Sequence, residues 1–429
     1  MKRIEKLTPV VVLSGLLLGC SLWYTKIAFK TEEGGPYLGY VQEIQRDAQG
    51  NELVFGYHQN FEANPRTGFG HFVAKFSSTG SLMWKVTPQD SGNTSFPAPS
   101  ANQYVAIDSS NNTLYAYSTG DDSYAELVDD SGNLLWSQHI PSYWAHHRSV
   151  AITEGGTYLL KSAFIDYYEV YAFSVDGEPL WQVREDYFEP AHGDSGTTEL
   201  TTLGEYILVK DKFKITVYDE DGLTVQTLLS EDLGGESIAD ISSNTRRLVV
   251  LVKTGRHNPV FKMAVFDDNL NLLQIREAHY EPGDVASLAG RVSISELGTV
   301  CYAAHTFDHV QAIGSLSPDF VQWHHTPAAS LSDKEFVAIK ASDQNNGQCA
   351  LFLNEYENSS GVYAVDKKPT SWTHLFGDSG DIVKTFSIKD VETNGANVIQ
   401  GRIYIGGGEL LDPRYQAYFP AVSYFRERL

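Results

Sequence analysis

The sequence is poor in cysteine, poor in basic residues and without long apolar runs, and each shortage narrows the field. Three cysteines in 429 residues, Cys20, Cys301 and Cys349, are too few for a disulfide scaffold, so a buried core has to hold the chain. Lys and Arg number 32 against 54 Asp and Glu, a formal charge of −22 that repels phosphate backbones and argues against a nucleic-acid partner. Past residue 19 no stretch approaches the ~20 apolar residues that a spanning helix needs. No long segment carries apolar residues at helical spacing either. What the chain does have is 36 Gly, 24 Tyr, 21 Phe and 7 Trp. They fall in short apolar runs separated by Gly, Asp and Asn turns, which predicts an all-β fold.

The start of the chain reads as an address. Lys2, Arg3 and Lys6 precede an apolar run from Leu7 to Leu18, broken by Thr8, Pro9, Ser14 and Gly15. That order predicts a secretory signal over 1–19. The exit Leu17-Leu18-Gly19-Cys20 resembles the lipobox of bacterial lipoproteins. The resemblance implies that Cys20 becomes the first mature residue and carries acyl chains such as palmitate. With Ser21 next, it implies an outer-membrane destination, the lipid anchor holding a domain in the periplasm. The expected organisation is a signal peptide, 1–19, and one domain, 20–429.

Several segments align: Val73–Val86 (VAKFSSTGSLMWKV), Ala125–Gln138 (AELVDDSGNLLWSQ), Val170–Val183 (VYAFSVDGEPLWQV) and Ile215–Leu228 (ITVYDEDGLTVQTL). Weaker copies are Met263–Ile275, Ala312–His324 and Val362–His374. Each reads as strand, tight turn, strand, with Gly80, Gly132, Gly177 and Gly222 in the turns, where positive φ meets no Cβ clash. A further strand pair precedes most of them, as in Ser149–Ser162 and Glu199–Asp211. Four strands per unit of 45 to 52 residues predicts a β-propeller, whose blades bury their faces against one another. Outer strands are expected near Trp84, Trp136, Trp181, Val225, Leu272, Trp323 and Trp372. Beyond Trp372 lie three strand-like stretches, Val383–Lys389, Asn397–Ile405 and Tyr418–Arg426. The mature start, Ser21–Lys26, supplies their missing fourth strand, giving eight blades and a ring closed by the two chain ends. Seven blades with a loose N-terminal tether is the alternative.

Cys301 and Cys349 each fall near the start of a strand in a separate repeat. Packed sheets lie ~10 Å apart and a disulfide needs Cα atoms within ~7 Å, so two buried free thiols are expected.

The Gly-turn followed by a Trp-bearing strand resembles the repeats of quinoprotein-like (PQQ-like) propellers. Together with the lipobox it is similar to the propeller lipoproteins of the outer-membrane β-barrel assembly machinery. The resemblance implies a non-enzymatic scaffold whose partner is an envelope protein or peptide. Related propellers bind a quinone cofactor, but no adjacent-cysteine pair is present, so no cofactor is expected and PQQ least of all.

In a propeller the D–A connections and B–C loops share one face. His58, His71, His257, His305 and His309 sort to B–C loops. His139, His146, His147, His192, His279, His324, His325 and His374 sort to D strand ends or D–A connections. The bland reading is that tight turns take Gly, Asp and Asn and leave His elsewhere. The functional reading is a recognition face, with Tyr143, Trp144, His146, His147, Tyr167, Tyr168, His279, His305, His309, His324 and His325 as candidates. The densest group, His305, Asp308, His309, His324 and His325, is the one candidate metal site. The alternative function is therefore a periplasmic enzyme or a metal or small-ligand binder at the channel mouth.

Overall fold

The computed structural model describes residues 21–426 apart from 27–37, 60–68, 88–103, 120–121, 142–146, 165, 188–197, 256–259, 279–288, 307–309, 320–321, 326–330, 332–333, 343–348, 358–367, 378, 390, 400–401 and 413–416. Its regular elements are strands, β1 to β32, gathered into four-stranded antiparallel sheets. Among the described residues no helix is long and apolar enough to cross a membrane. The molecule is an all-β propeller.

Seven sheets take four consecutive strands each. Their first strands are β2 (Leu38–Arg46), β6 (Val105–Ile107), β10 (His147–Ile152), β14 (Glu199–Leu203), β18 (Ser237–Ser243), β22 (Ala289–Ile294) and β26 (Glu335–Ala341). Their last are β5 (Leu82–Val86), β9 (Leu134–Pro141), β13 (Pro179–Asp186), β17 (Thr224–Leu229), β21 (Leu272–Ala278), β25 (Gln322–His325) and β29 (Ile382–Lys389). A further sheet joins β30 (Val391–Ile399), β31 (Arg402–Asp412) and β32 (Ala417–Arg426) to β1 (Ser21–Lys26). In it Ser21 pairs with Arg426 and Lys26 with Ala421. First strands of successive sheets touch one another, and β30 touches both β26 and β2, which makes the first strands the inner ones. The second strands are the most deeply covered: β11 (Tyr158–Ala163) is buried along its whole length. Outer strands such as β13 and β29 alternate exposed and half-buried.

Two strand assignments need correction. Trp372 lies on β28 (Lys368–Phe376), a third strand, and the outer strand of that sheet is β29. The turn between them is 377–381, where the Gly377 N–H donates to Asp381 O. Tryptophan had marked outer strands elsewhere, but here an indole packs from the third strand. The stretch 397–405 correspondingly splits into parts of β30 and β31.

The Trp and Gly of the repeat turn out to be partners across sheets. The indole N–H groups of Trp84, Trp136 and Trp181 donate to the carbonyls of Asp130, Val175 and Glu220 in the next sheet's turn. A Cβ on Gly132, Gly177 or Gly222 would lie within 2.7 Å of the docked indole. A bulge just before each tryptophan, at Leu135 or Leu180 for instance, aims it at the neighbour. Where Gln226 takes the indole position, the next turn has Leu270 in place of glycine, at φ 62°. Leu270 is buried in the same apolar cluster as Leu228 and Val217.

Cys301 and Cys349 are disulfide-bonded, with Cα atoms 5.8 Å apart, which overturns the expectation of free thiols. Sheet spacing is an average, and radial sheets converge toward the axis. Both cysteines sit on second strands, β23 (Val300–His305) and β27 (Cys349–Glu357), where the convergence is felt.

Candidate functional site

Each strand ends at one of two faces. His147 opens β10 opposite Ala163, the end of β11, and Ala163 in turn faces Tyr168 near the start of β12 (Tyr167–Phe173). His305 closes β23 opposite Ala289, and His324 and His325 close β25 opposite Gly314 and Ile313. These positions share the end of the sheets that carries the D–A and B–C connections. Tyr143, Trp144, His146, His279, Asp308 and His309 lie outside the described residues, as does the lipidation candidate Cys20.

Tyr167, Tyr168 and His305 at that face are packed against neighbouring side chains. Tyr167 is half-buried, stacked on Phe164 at 4.4 Å and capped by the Arg184 guanidinium 3.5 Å from its ring centroid. Tyr168 is fully buried and so is no part of an exposed face. Its hydroxyl meets Glu185 at 3.0 Å, and burial raises its pKa. Adjacent strand residues point to opposite faces, and a propeller blade covers both. His305 stacks on Phe336 at 3.9 Å, its Nδ1 bonded to Thr306 O at 2.9 Å, and burial lowers its pKa to about 4. His374 lies within β28, two residues from its turn end, rather than at an outer strand's end, with Nδ1 2.9 Å from Thr385 Oγ1. Among the described residues no three His, Cys, Asp or Glu side chains are placed to hold a metal.

A second site was not foreseen: a ring of charge on the inner strands. Glu199 on β14 binds Lys210 Nζ at 2.9 Å. Arg291 on β22 reaches Glu199 and Asp240 of β18, both at 3.7 Å. Lys340 on β26 feels Glu43 of β2, then Asp240 and Arg291, and burial lowers its pKa. Burial and the Glu199 charge raise the Asp240 carboxyl to about 7, and Glu199, beside Lys210 and Arg291, stays low. Burial likewise raises Glu43 to about 7 and lowers Lys161, which is hydrogen-bonded to Thr198, to about 7.

Much of this ring caps free strand edges. An inner strand has no partner on its axial side, and buried N–H groups need acceptors. Glu43 Oε2 accepts the Tyr104 N–H at 2.6 Å, Asp240 Oδ2 accepts the Val292 N–H at 2.7 Å, and Ser242 and Ser293 accept those of Ile294 and Ala341. Each cap comes from the preceding sheet. Bulges at Gln42, Ala239, Val337 and Asn394 fall on four inner strands, just before Glu43, Asp240, Ala338 and Gly395. The sequence signal was available: single charges inside short apolar runs, as in Ser237–Ser243 (SIADISS) and Glu335–Ala341 (EFVAIKA).

Fold and repeat define a β-propeller. Residues 70–265, somewhat less than half of the chain, match the family profile described as outer membrane protein assembly factor BamB. No curated protein matches the chain in sequence. Among solved structures it is similar to the Dos1 propeller, at 9% identity and TM-score 0.52, over 90% of this chain and 93% of that one. It is also similar to the WD40 domain of SCAP from fission yeast, at 10% identity and TM-score 0.53, over 94% and 98%. Identities this low speak for the fold alone.

Proposed function

We propose that this protein is a non-enzymatic binding scaffold of the bacterial envelope, tethered through Cys20 to the outer membrane, that offers its D–A and B–C loop face to a protein or an extended peptide. The observation that carries this reading is the match of residues 70–265 to the BamB profile on a propeller fold. The leader ending in Leu17-Leu18-Gly19-Cys20 supports the anchor. In the same reading β1 is the clasp of an eight-bladed ring. As an outer strand starting at the turn end, β1 leaves Cys20 one residue from the fold and directs the turn face at the membrane.

Photo-crosslinking in cells from Tyr167, followed by identification of the attached proteins, tests the partner. The expected product is an adduct with an outer-membrane assembly component; adducts with none of the envelope proteins overturn the reading. Cysteine labelling on intact outer membranes tests orientation: Ser131→Cys, in a turn, should be more protected than Ser142→Cys, in a D–A connection. The reverse order rejects it.

A further inference from the structure

We propose that the axis of the ring is a binding site for a small carboxylate anion, held between Arg291 and Lys340. Both cations stand on neighbouring inner strands, β22 and β26, which are joined by the Ala341 N–H to Ser293 Oγ bond of 3.2 Å. Neither spends its donors on the protein. Arg291 is set in place by two carboxylates at 3.7 Å, beyond hydrogen-bond reach, and Lys340 has only longer-range partners. Among the described residues neither side chain donates a hydrogen bond. Eight N–H donors are therefore left for solvent or for a guest, five on the guanidinium and three on the ammonium.

The space is open to solvent. The Arg291 side chain keeps 33% of its surface accessible although its strand is an inner one. Glu43, Thr201, Ser242, Ser293 and Lys340 are likewise half-buried, whereas the second strands behind them are sealed. The inner strands line the axis.

The charges favour an anion over a cation. Asp240 and Glu43 already accept backbone N–H groups, and both hold their protons up to about neutrality. Glu199 is shared between Lys210 at 2.9 Å and Arg291 at 3.7 Å. What remains toward the axis is the pair of cations. A carboxylate suits the planar fork of a guanidinium and accepts a second bond from the ammonium.

The test uses the full mature chain and succinate, with inorganic phosphate and sodium chloride at matched ionic strength as comparisons. Calorimetric titration and thermal unfolding should show saturable binding of succinate that chloride does not reproduce. Arg291→Gln and Lys340→Gln should each weaken it about tenfold or more, the loss of one charge-assisted hydrogen bond. Arg276→Gln, on outer strand β21, should leave it unchanged, and Lys340→Arg should retain it. Wild-type protein that responds to succinate and chloride alike overturns the proposal, and this outcome requires no variant to fold. Tighter binding of phosphate than of succinate overturns the carboxylate class. Undiminished binding in the two Gln variants overturns the site.

Discussion

At the residue scale, two kinds of position have measurable consequences. Gly177 has a positive φ and a neighbouring indole 2.6 Å from where a Cβ would stand, whereas Gly156 has a positive φ and open space. Gly156→Ala should cost about 1–2 kcal/mol for the left-handed backbone alone. Gly177→Ala should cost about 1–3 kcal/mol beyond that, because Trp136 has to shift. Urea unfolding of both variants checks the difference. Asp240 gives a pH signature. Its folded pKa, about 7, is above its ordinary value, so the folded state binds more protons than the unfolded one between about pH 4 and 7. That term lowers stability as pH rises through this window. Asp240→Asn, which resembles the protonated acid, should therefore gain on wild type between pH 5 and 8. His305 works in the opposite direction: its folded pKa, about 4, is depressed, so its contribution is full above about pH 6.5 and fades toward pH 4. His305→Phe, which keeps the stack on Phe336, should gain on wild type as pH falls from 7 to 4. Residue detail was the least legible level of the sequence. Tyr168 and Tyr167 are neighbours with opposite fates, and the alternation that separates them depends on which sheet lies on each side.

At the scale of elements, strands and turns were easy to read because Gly132, Gly177 and Gly222 recur with a Trp or Gln four residues on. What failed was the assumption that every Trp marks an outer strand, since Trp372 lies on a third one. The disulfide was hidden for a different reason. Strand position gives no distance between sheets, and only the radial arrangement brings β23 and β27 together. The bond closes a separation of 48 residues. Its loss should cost about 4 kcal/mol in the loop-entropy picture, visible as a lower unfolding midpoint of the Cys301→Ala, Cys349→Ala double variant. The axial charges are not legible as a group in the sequence because Asp240, Arg291 and Lys340 stand as single charges about 50 residues apart. Only the side-by-side packing of the inner strands brings them together.

At the scale of the whole molecule, the sheet of β30, β31, β32 and β1 stands between β26 and β2, and Asn397 Nδ2 donates to Ile44 O at 3.0 Å across that junction. Removing residues 21–26 would leave β32 with an unpaired edge. Limited proteolysis of the chain lacking these residues should then cut first within 391–426, before any cut in the sheets of the 70–265 region.

The β1–β32 pairing also sets a timetable. The hexapeptide at the front of the domain is made hundreds of residues before its mate, so it stays unsatisfied while the rest of the chain arrives. Joining ends so far apart carries a loop-closure entropy on the order of 5 kcal/mol. The β1–β32 pairing is therefore expected to form late, and a chain lacking its C-terminal strands would leave the hexapeptide as an unpaired, adhesive edge.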